Sequence, residues 1–248
     1  MIAVLSDPPR EGLVLPDLAE TSPLSAAEAA DLYAAMLKDV FRAAARSGGE
    51  LLVNYRPDDL LPDEFRGDQS AEAEVRALAR AALDDLDEVR FEVQVGSSFE
   101  ARAGNTAAHL LREEEVNTVA VVEGNAPLLA RTQIDSAAMK LRRSEAVVGP
   151  AEAGRIYYLG LSEPIDFEGA YQAPELESVT NHCVDAGHQV DFLPELPTVQ
   201  TGSDLVSLIT QLNARRAAGR QIPAFTAAFV DELGLRVEVE DGERTVVR

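Results

Sequence analysis

The chain has 248 residues, 46% of them hydrophobic, and a formal net charge of −21 at pH 7. This charge argues against a nucleic-acid partner, because binding to phosphates needs a basic surface. No apolar run reaches the roughly 20 residues that a membrane-spanning helix needs. The N-terminus shows neither the basic region nor the apolar segment of a signal peptide. We therefore expect neither a nucleic-acid nor a membrane partner.

The cysteine and lysine contents indicate where the protein works. Cys183 is the only cysteine, which excludes an intrachain disulfide and fits a cytoplasmic location. Only two of the 22 basic residues are lysine, Lys38 and Lys140, and the acid excess extends along the whole chain. An ordinary acidic protein would explain this composition. We favour a protein from a salt-accumulating halophile, in which salt screens the repulsion between carboxylates.

Hydrophobic periodicity predicts strands that alternate with helices over the first 150 residues. Strands are predicted at residues 2–5, 50–55, 89–95, 118–122, 145–149, 155–161 and 189–193. Helices are predicted at residues 25–46, 70–86, 101–114, 131–143, 174–186, 203–218 and 223–233. Residues 6–23 are predicted as a long loop. The tail, residues 235–248, is a predicted hairpin around Asp241-Gly242.

This order predicts an α/β fold of three layers, α/β/α, with a mixed, mainly parallel sheet and a C-terminal β-hairpin, because βαβ units make parallel strands. We find no repeat and no linker, so residues 1–248 are expected to form one domain. Residues 219–248 are its C-terminal helix and hairpin extension. An alternating strand pair at the end of a chain has an edge to cover, which makes a homodimer an expectation.

Candidate binding residues follow the predicted strands. In open α/β sheets ligands bind outside the carboxyl ends of the strands, so residues 6–17, 96–105, 123–127 and 149–155 should border one crevice. A polar cluster near the second loop suits hydrogen bonds to a base, ribose or sugar and consists of Gln94, Ser97, Ser98, Arg102 and Asn105. Turn chemistry, with the arginine on a solvated helix face, explains the same residues at least as well.

Two further loops carry candidate ligands. Arg10 could contact a phosphate, although an exposed arginine in an acidic loop is an equal alternative. Glu123 and Asn125 follow a buried strand, where a carboxylate could hold a cation or where Asn125 could simply complete a turn. The motifs GxGxxG and GxxxxGK[ST], typical of dinucleotide and triphosphate sites, are absent.

Five segments resemble, in their order and wording, the GT-A-like nucleotide-diphospho-sugar transferase superfamily. Within it they are most similar to a poorly characterised family related in fold to the phospholactate guanylyltransferases. The segments are LSAAEAADLYAAMLKDV (24–40), VQVGSSFEARAGNT (93–106), VAVVEGNAPLL (119–129), VVGPAEAGRIYYLGL (147–161) and TVQTGSDLVSL (198–208). They extend over nearly the whole chain, and residues 219–248 lie outside the match.

The resemblance implies a GT-A fold with a nucleotide at the N-terminal half of the sheet and a metal, Mg²⁺ or Mn²⁺, in an acidic loop. The chain departs from the family at its charged positions. Residues 11–20, EGLVLPDLAE, stand where the family has a basic phosphate-binding stretch. Acidic residues of the family are replaced at Asn125, Ala153, Thr198 and Gln200, and a glycine is replaced at Arg155.

We therefore carry over Glu123, Asn125, Glu152 and Gln200 only as residues that line the site, with Glu123 as the candidate metal ligand. The resemblance implies a glycosyl or nucleotidyl transferase that uses a nucleotide or nucleotide-sugar as its small-molecule partner. The alternative is a catalytically inactive relative that binds a ligand or a protein. Its motivation is the joint loss of metal ligands and phosphate-neutralising charge.

Overall fold

A sheet of seven strands with helices on both faces forms the centre of the computed structural model, which describes residues 1–248. The strands of the sheet are β1 (Ile2–Ser6), β2 (Leu51–Tyr55), β3 (Arg90–Val93), β4 (Val119–Glu123), β5 (Ala146–Pro150), β6 (Ile156–Leu161) and β7 (Val190–Phe192). The helices are α1 (Pro16–Thr21), α2 (Ala26–Ala45), α3 (Ala71–Ala82), α4 (Phe99–Ala108), α5 (Arg131–Lys140), α6 (Glu175–Asp185), α7 (Gly202–Ala217) and α8 (Ala224–Glu232). A separate hairpin consists of β8 (Arg236–Glu240) and β9 (Glu243–Val247). None of these helices combines the length and the apolar character that crossing a bilayer requires.

The strand order is β3-β2-β1-β4-β6-β5-β7, and β6 runs antiparallel to both of its neighbours while the other pairs are parallel. The predicted mixed, mainly parallel sheet is therefore confirmed. The chain first adds strands on one side of β1 and then places β4 on its other side. Such a reversal is a topological switch point, where a crevice opens at the carboxyl ends of the two strands.

The alternation of side chains along β1 divides the core into two layers. Ile2 and Val4 pack into a cluster that includes residues of α2, α3, α5, α7 and α8. Ala3 and Leu5 point to the opposite face and pack with residues of α4 and α6. The sheet is thus buried on both faces, which explains the unbroken apolar runs of its strands.

The C-terminal extension packs against the body of the protein. It contributes three residues to the apolar cluster that contains the core residues of α2 and α7: Val230 of α8, Leu235 before β8, and Val246 of β9. Asp39 of α2 fixes the start of α8, since its carboxylate accepts hydrogen bonds from the backbone nitrogen of Thr226 at 2.8 Å and from the hydroxyl of that residue at 2.8 Å. The backbone nitrogen of Phe225 donates to the same carboxylate at 3.2 Å.

Local predictions succeed where a residue pattern has a single structural meaning. The capping box of Ser25 and Glu28 at the start of α2 is confirmed. The prediction of a loop over residues 6–23 is wrong in part, because α1 lies within it and is too short to show a periodicity. The helix predicted from Ser203 is confirmed as α7 and begins one residue earlier, because Thr201 caps it and forms a capping box with Asp204.

We expect the substitution Asp39→Ala to destabilise the protein by about 1–3 kcal/mol, because it leaves buried backbone donors at the start of α8 without an acceptor. Urea unfolding at constant salt measures this loss. The matched control is Asp31→Ala, which removes an exposed carboxylate from the same helix and should change stability little. Equal effects of the two substitutions would contradict the role assigned to Asp39.

Candidate functional site

A cavity of about 260 Å³ opens at the switch point, between the carboxyl ends of β1 and β4. Its walls are formed by β1 and the segment after it, by the start of α1, by α2, by α4 and the segment before it, by the end of β4 and the loop after it, and by the segment before α7. The lining residues are Leu5, Asp7, Leu13, Val14, Leu15, Pro16, Asp17, Tyr33, Gln94, Phe99, Arg102, Glu123, Gly124, Asn125 and Gln200. A concave pocket with apolar walls and a few convergent polar groups is the usual form of a small-molecule site.

Gln94 and Arg102 are held in place by a buried hydrogen-bond network. The Nε of Arg102 donates to the Oε1 of Gln94 at 2.6 Å, and the Nε2 of Gln94 donates to the backbone oxygen of Asn54 at 2.7 Å. Asn54 in turn accepts a hydrogen bond from the hydroxyl of Thr106 at 2.9 Å. The two terminal nitrogens of Arg102 donate to no protein acceptor, and burial lowers the pKa of this guanidinium. They can therefore bind a ligand.

Asp7 directly follows β1 and lines the cavity. Its backbone nitrogen donates to the hydroxyl of Tyr33 at 3.1 Å, which fixes the loop against α2. Its buried Oδ1 atom has no hydrogen-bond partner, and the nearest cation, the NH1 of Arg56, lies 3.6 Å away. Burial raises the pKa of Asp7, while the charges of Arg56 and Arg102 act in the opposite direction.

Glu123 is the last residue of β4, and its half-buried carboxylate receives no hydrogen bond from the protein. Burial and the negative charges of Glu175 and Asp7 raise its pKa to about 8, against the opposing effect of Arg155. The register pairs Glu123 with Leu5. A carboxylic acid with a pKa near neutrality can donate or accept a proton at physiological pH.

The loop after β4 approaches α2 closely. A Cβ atom at Gly124 would lie 2.8 Å from a methyl group of Leu37, so a larger residue would fit only if that side chain moved. The next residue, Asn125, is buried, and its Oδ1 atom has no hydrogen-bond partner. The hydroxyl oxygen of Thr198 is also buried without a hydrogen-bond partner. Thr198 lies close to Asn125, because the backbone nitrogen of the next residue, Val199, donates to the backbone oxygen of Asn125.

Arg155 and Asp204 form a nearly buried ion pair behind Gln200. The terminal nitrogens of Arg155 contact the two carboxylate oxygens of Asp204 at 2.9 and 2.5 Å. The backbone nitrogens of Gln200 and Thr201 donate to the same carboxylate at 3.0 and 2.8 Å. Burial acts to raise the pKa of Asp204, but Arg155 and these hydrogen bonds hold it below its usual value. This acid is therefore fully engaged within the protein.

Of the ten residues predicted from the sequence, the structure brings five into the cavity: Gln94, Arg102, Glu123, Asn125 and Gln200. The other five do not line it. Arg10 pairs with Asp58 at 3.0 Å and with Glu74 at 2.9 Å, so its charge is already neutralised.

The remaining four serve the fold around the cavity. The hydroxyl of Ser98 caps α4 by accepting from the backbone nitrogen of Ala101, and Ser97 is exposed beside it. Asn105 donates to the backbone oxygen of Val95 at 2.7 Å. Glu152 accepts a hydrogen bond from the hydroxyl of Ser207 at 3.2 Å. For Ser98 and Asn105, the structure agrees with the alternative of turn and capping chemistry.

The predicted border segment, residues 6–17, does line the cavity, but sequence analysis singled out neither Asp7 nor the apolar segment of residues 13–16 within it and did not place Tyr33 there. A signal for Asp7 existed, because it is the first residue after a strand that borders the switch point. The apolar segment was hidden in a stretch without periodicity.

One group of side chains has the spacing of a metal site, but it lies outside the cavity. The ligand atoms of Glu92, His109 and Glu114 lie within 4.8 Å of one another. Arg90 already pairs with both glutamates, at 2.7 Å in the case of Glu114. The predicted metal ligand, Glu123, does not belong to this group.

Comparisons with known proteins give the same fold. A family model described as an uncharacterized protein conserved in bacteria (DUF2064) matches residues 65–171. No curated protein matches the sequence. The crystal structure of a "putative nucleotide-diphospho-sugar transferase" from Desulfovibrio desulfuricans G20 has a TM-score of 0.70 and 19% identity, covering 93% of this chain and 96% of that one.

Two further structures are similar at lower scores. A 4-diphosphocytidyl-2C-methyl-D-erythritol synthase from Anaerococcus prevotii DSM 20548 has a TM-score of 0.50 and 12% identity, covering 86% of this chain and 96% of that one. A cytidylyltransferase from Leptospira borgpetersenii serovar Hardjo-bovis has a TM-score of 0.50 and 10% identity, covering 93% of each chain. With the strand order described above, these likenesses show that the protein has a GT-A-like α/β fold.

Proposed function

We propose that this protein is a transferase that uses a nucleotide or a nucleotide-sugar and moves a glycosyl or nucleotidyl group. One observation carries the proposal: an aromatic ring, Phe99, a guanidinium with free nitrogens, Arg102, and an unpaired carboxylate, Glu123, line a single cavity. Aromatic rings and guanidinium groups stack on nucleobases, and a carboxylic acid of this kind can transfer a proton. The neighbours named as transferases support the proposal through their fold alone.

The cavity has two ends with different chemistry. Gln94, Phe99 and Arg102 lie at the end near α4, where they would hold the nucleoside. Glu123, Asn125 and Gln200 lie at the end near β4 and α7, where the group to be transferred would react. At neutral pH, Glu123 keeps its proton because of its raised pKa and can give it to a leaving oxygen.

The donors at the reacting end fit a divalent metal ion poorly. Mg²⁺ and Mn²⁺ prefer several oxygen ligands that include carboxylates, whereas the acids that line the cavity do not form a group with the spacing of metal ligands. Another acid in this region, Asp204, is bound by Arg155. We therefore assign no step to a metal, and the binding experiments below are made both with and without Mg²⁺ and Mn²⁺.

A second candidate function is that of a catalytically inactive, ligand- or protein-binding relative. The observation that favours it is the ion pair of Arg155 with Asp204, together with the uncharged side chains of Asn125 and Thr198. The resemblance implies acidic residues at the positions of Asn125 and Thr198 and a glycine at the position of Arg155. Ligand binding alone does not distinguish the two candidates, because both allow it. Turnover distinguishes them, because only the transferase predicts it.

We expect nucleoside diphosphates, triphosphates or nucleotide-sugars to raise the melting temperature of the protein at molar salt. Arg102→Gln should weaken the affinity about 10- to 100-fold, since a hydrogen bond from a charged donor contributes about 1.5–3 kcal/mol. Thermal-shift titration gives both numbers. The control is Arg80→Gln, an exposed arginine of α3. The absence of a shift with any of these compounds would refute the proposed function.

If the transferase proposal holds, Glu123→Gln should lower turnover at least about 100-fold, the smallest usual contribution of general acid–base catalysis, and leave nucleotide affinity nearly unchanged. The assay separates substrate and product nucleotides by chromatography after incubation with candidate acceptors. Glu177→Gln, an exposed position of α6, is the control. Tight nucleotide binding with no turnover by the wild type would establish the second candidate instead.

The raised pKa of Glu123 has a measurable effect on stability. Between about pH 4.5 and pH 8 the unfolded chain ionises Glu123 while the folded chain keeps the proton, so this group lowers the free energy of unfolding as the pH rises. The glutamine variant lacks this loss. Its stability relative to the wild type should therefore increase from pH 5 to pH 8 and then level off, in urea titrations at constant salt. A difference that does not depend on pH would contradict the assignment.

A further inference from the structure

The Asp7 carboxylate lines the cavity and accepts no hydrogen bond from the fold. Its Oδ1 atom is buried and faces the NH1 of Arg56 at 3.6 Å, an ion pair that is too long for a hydrogen bond. The other guanidinium nitrogens of Arg56, Nε and NH2, donate to the backbone oxygen of Leu60 at 3.2 and 2.8 Å. The side chain of Asp7 remains 31% exposed. A buried acceptor of this kind costs about 1–3 kcal/mol unless a ligand or water donates to it.

A matching donor lines the same cavity. Asp7 follows β1 and Arg102 belongs to α4, and both side chains contribute to the cavity wall. Arg102 of α4 is close enough that the charges of Asp7 and Arg102 influence each other. Its orientation is fixed through Gln94, which leaves the terminal nitrogens directed away from that bond.

The charge of the cavity indicates which part of a nucleotide enters this end. Besides the protonated Glu123, two acidic side chains, those of Asp7 and Asp17, line the cavity, and Arg102 supplies its one basic group. Like charges repel, so a polyphosphate is disfavoured here. An uncharged planar ring fits better, because Phe99 offers an aromatic surface on which it can stack.

We propose that Asp7 and Arg102 make this cavity selective for a nucleobase that bears an exocyclic amino group. This inference rests on the proposed function and names its substrate class. An amino N–H donates to the Asp7 carboxylate, and a ring carbonyl or ring nitrogen of the same base accepts from Arg102. A base with a carbonyl oxygen in place of the amino group directs that oxygen at the carboxylate, and the two acceptors repel each other.

The test compares nucleosides that differ at one group and carry no phosphate. Cytidine and uridine differ by an amino group against a carbonyl, and guanosine differs from inosine by one added amino group. Isothermal titration calorimetry at molar salt should give an affinity at least about fivefold higher for the amino-bearing member of at least one pair, the lower end of what one good bidentate contact discriminates.

Asp7→Asn provides a readout that structural damage would not produce. The asparagine amide presents an N–H donor in place of a carboxylate oxygen, so the preference for cytidine over uridine should disappear or reverse. Asp7→Ser, which is smaller and uncharged, should bring the ratio toward one and replaces the asparagine variant if that variant does not fold. Asp63→Asn, with a side chain that is 91% exposed, is the charge-matched control and should keep the wild-type ratio.

The outcomes separate this inference from the proposed function. If nucleotides bind but both nucleoside pairs bind equally, the selectivity assigned to Asp7 is wrong and the transferase proposal stands. An unchanged ratio in both Asp7 variants has the same meaning. If no nucleoside, nucleotide or nucleotide-sugar binds, both proposals fail together.

Discussion

The parallel pairing of β1 with β4 is the constraint on which the candidate site depends. Both strands end at the cavity. β1 ends at Ser6, and Glu123 is itself the last residue of β4. Because the sheet extends in opposite directions from this pair, no crossover helix covers the carboxyl ends of the two strands. The register, which places Leu5 beside Glu123, brings the segments that contain Asp7 and Asn125 next to each other. The crevice is thus a consequence of strand order before any side chain is considered.

The buried polar network gives this crevice a fixed shape. Asn54 lies in the middle of the sheet, and a polar side chain at such a position is tolerated only when its hydrogen bonds are satisfied. It is satisfied by Thr106 and by backbone oxygens of β3, and through Gln94 it fixes the guanidinium of Arg102. A ligand therefore meets a preorganised donor and need not supply the free energy to order it.

The sequence predicted the sheet and half of the site because both depend on local patterns. The apolar run before Glu123 has one good interpretation, a buried parallel strand, and its end locates Glu123 and Asn125 at the crevice. Arg10 could not be placed in this way, because its partner Glu74 lies 64 residues along the chain. Ser98 could not be distinguished either, since a serine before a helix serves equally well as a cap or as a ligand. Tertiary contacts, which no spacing encodes, decide such cases.

Asn125 and Thr198, the uncharged residues near the reacting end of the cavity, indicate whether the site still binds a ligand. Arg155 pairs with Asp204, and the charges of these two side chains satisfy each other. Asn125 and Thr198 are different, because each keeps a buried oxygen atom that no protein donor reaches. Two such atoms carry a cost of about 1–3 kcal/mol each, which an apolar side chain of similar size would remove. Their presence therefore favours a site that still receives hydrogen bonds from a bound group or an ordered water molecule over a site that has only lost its charge.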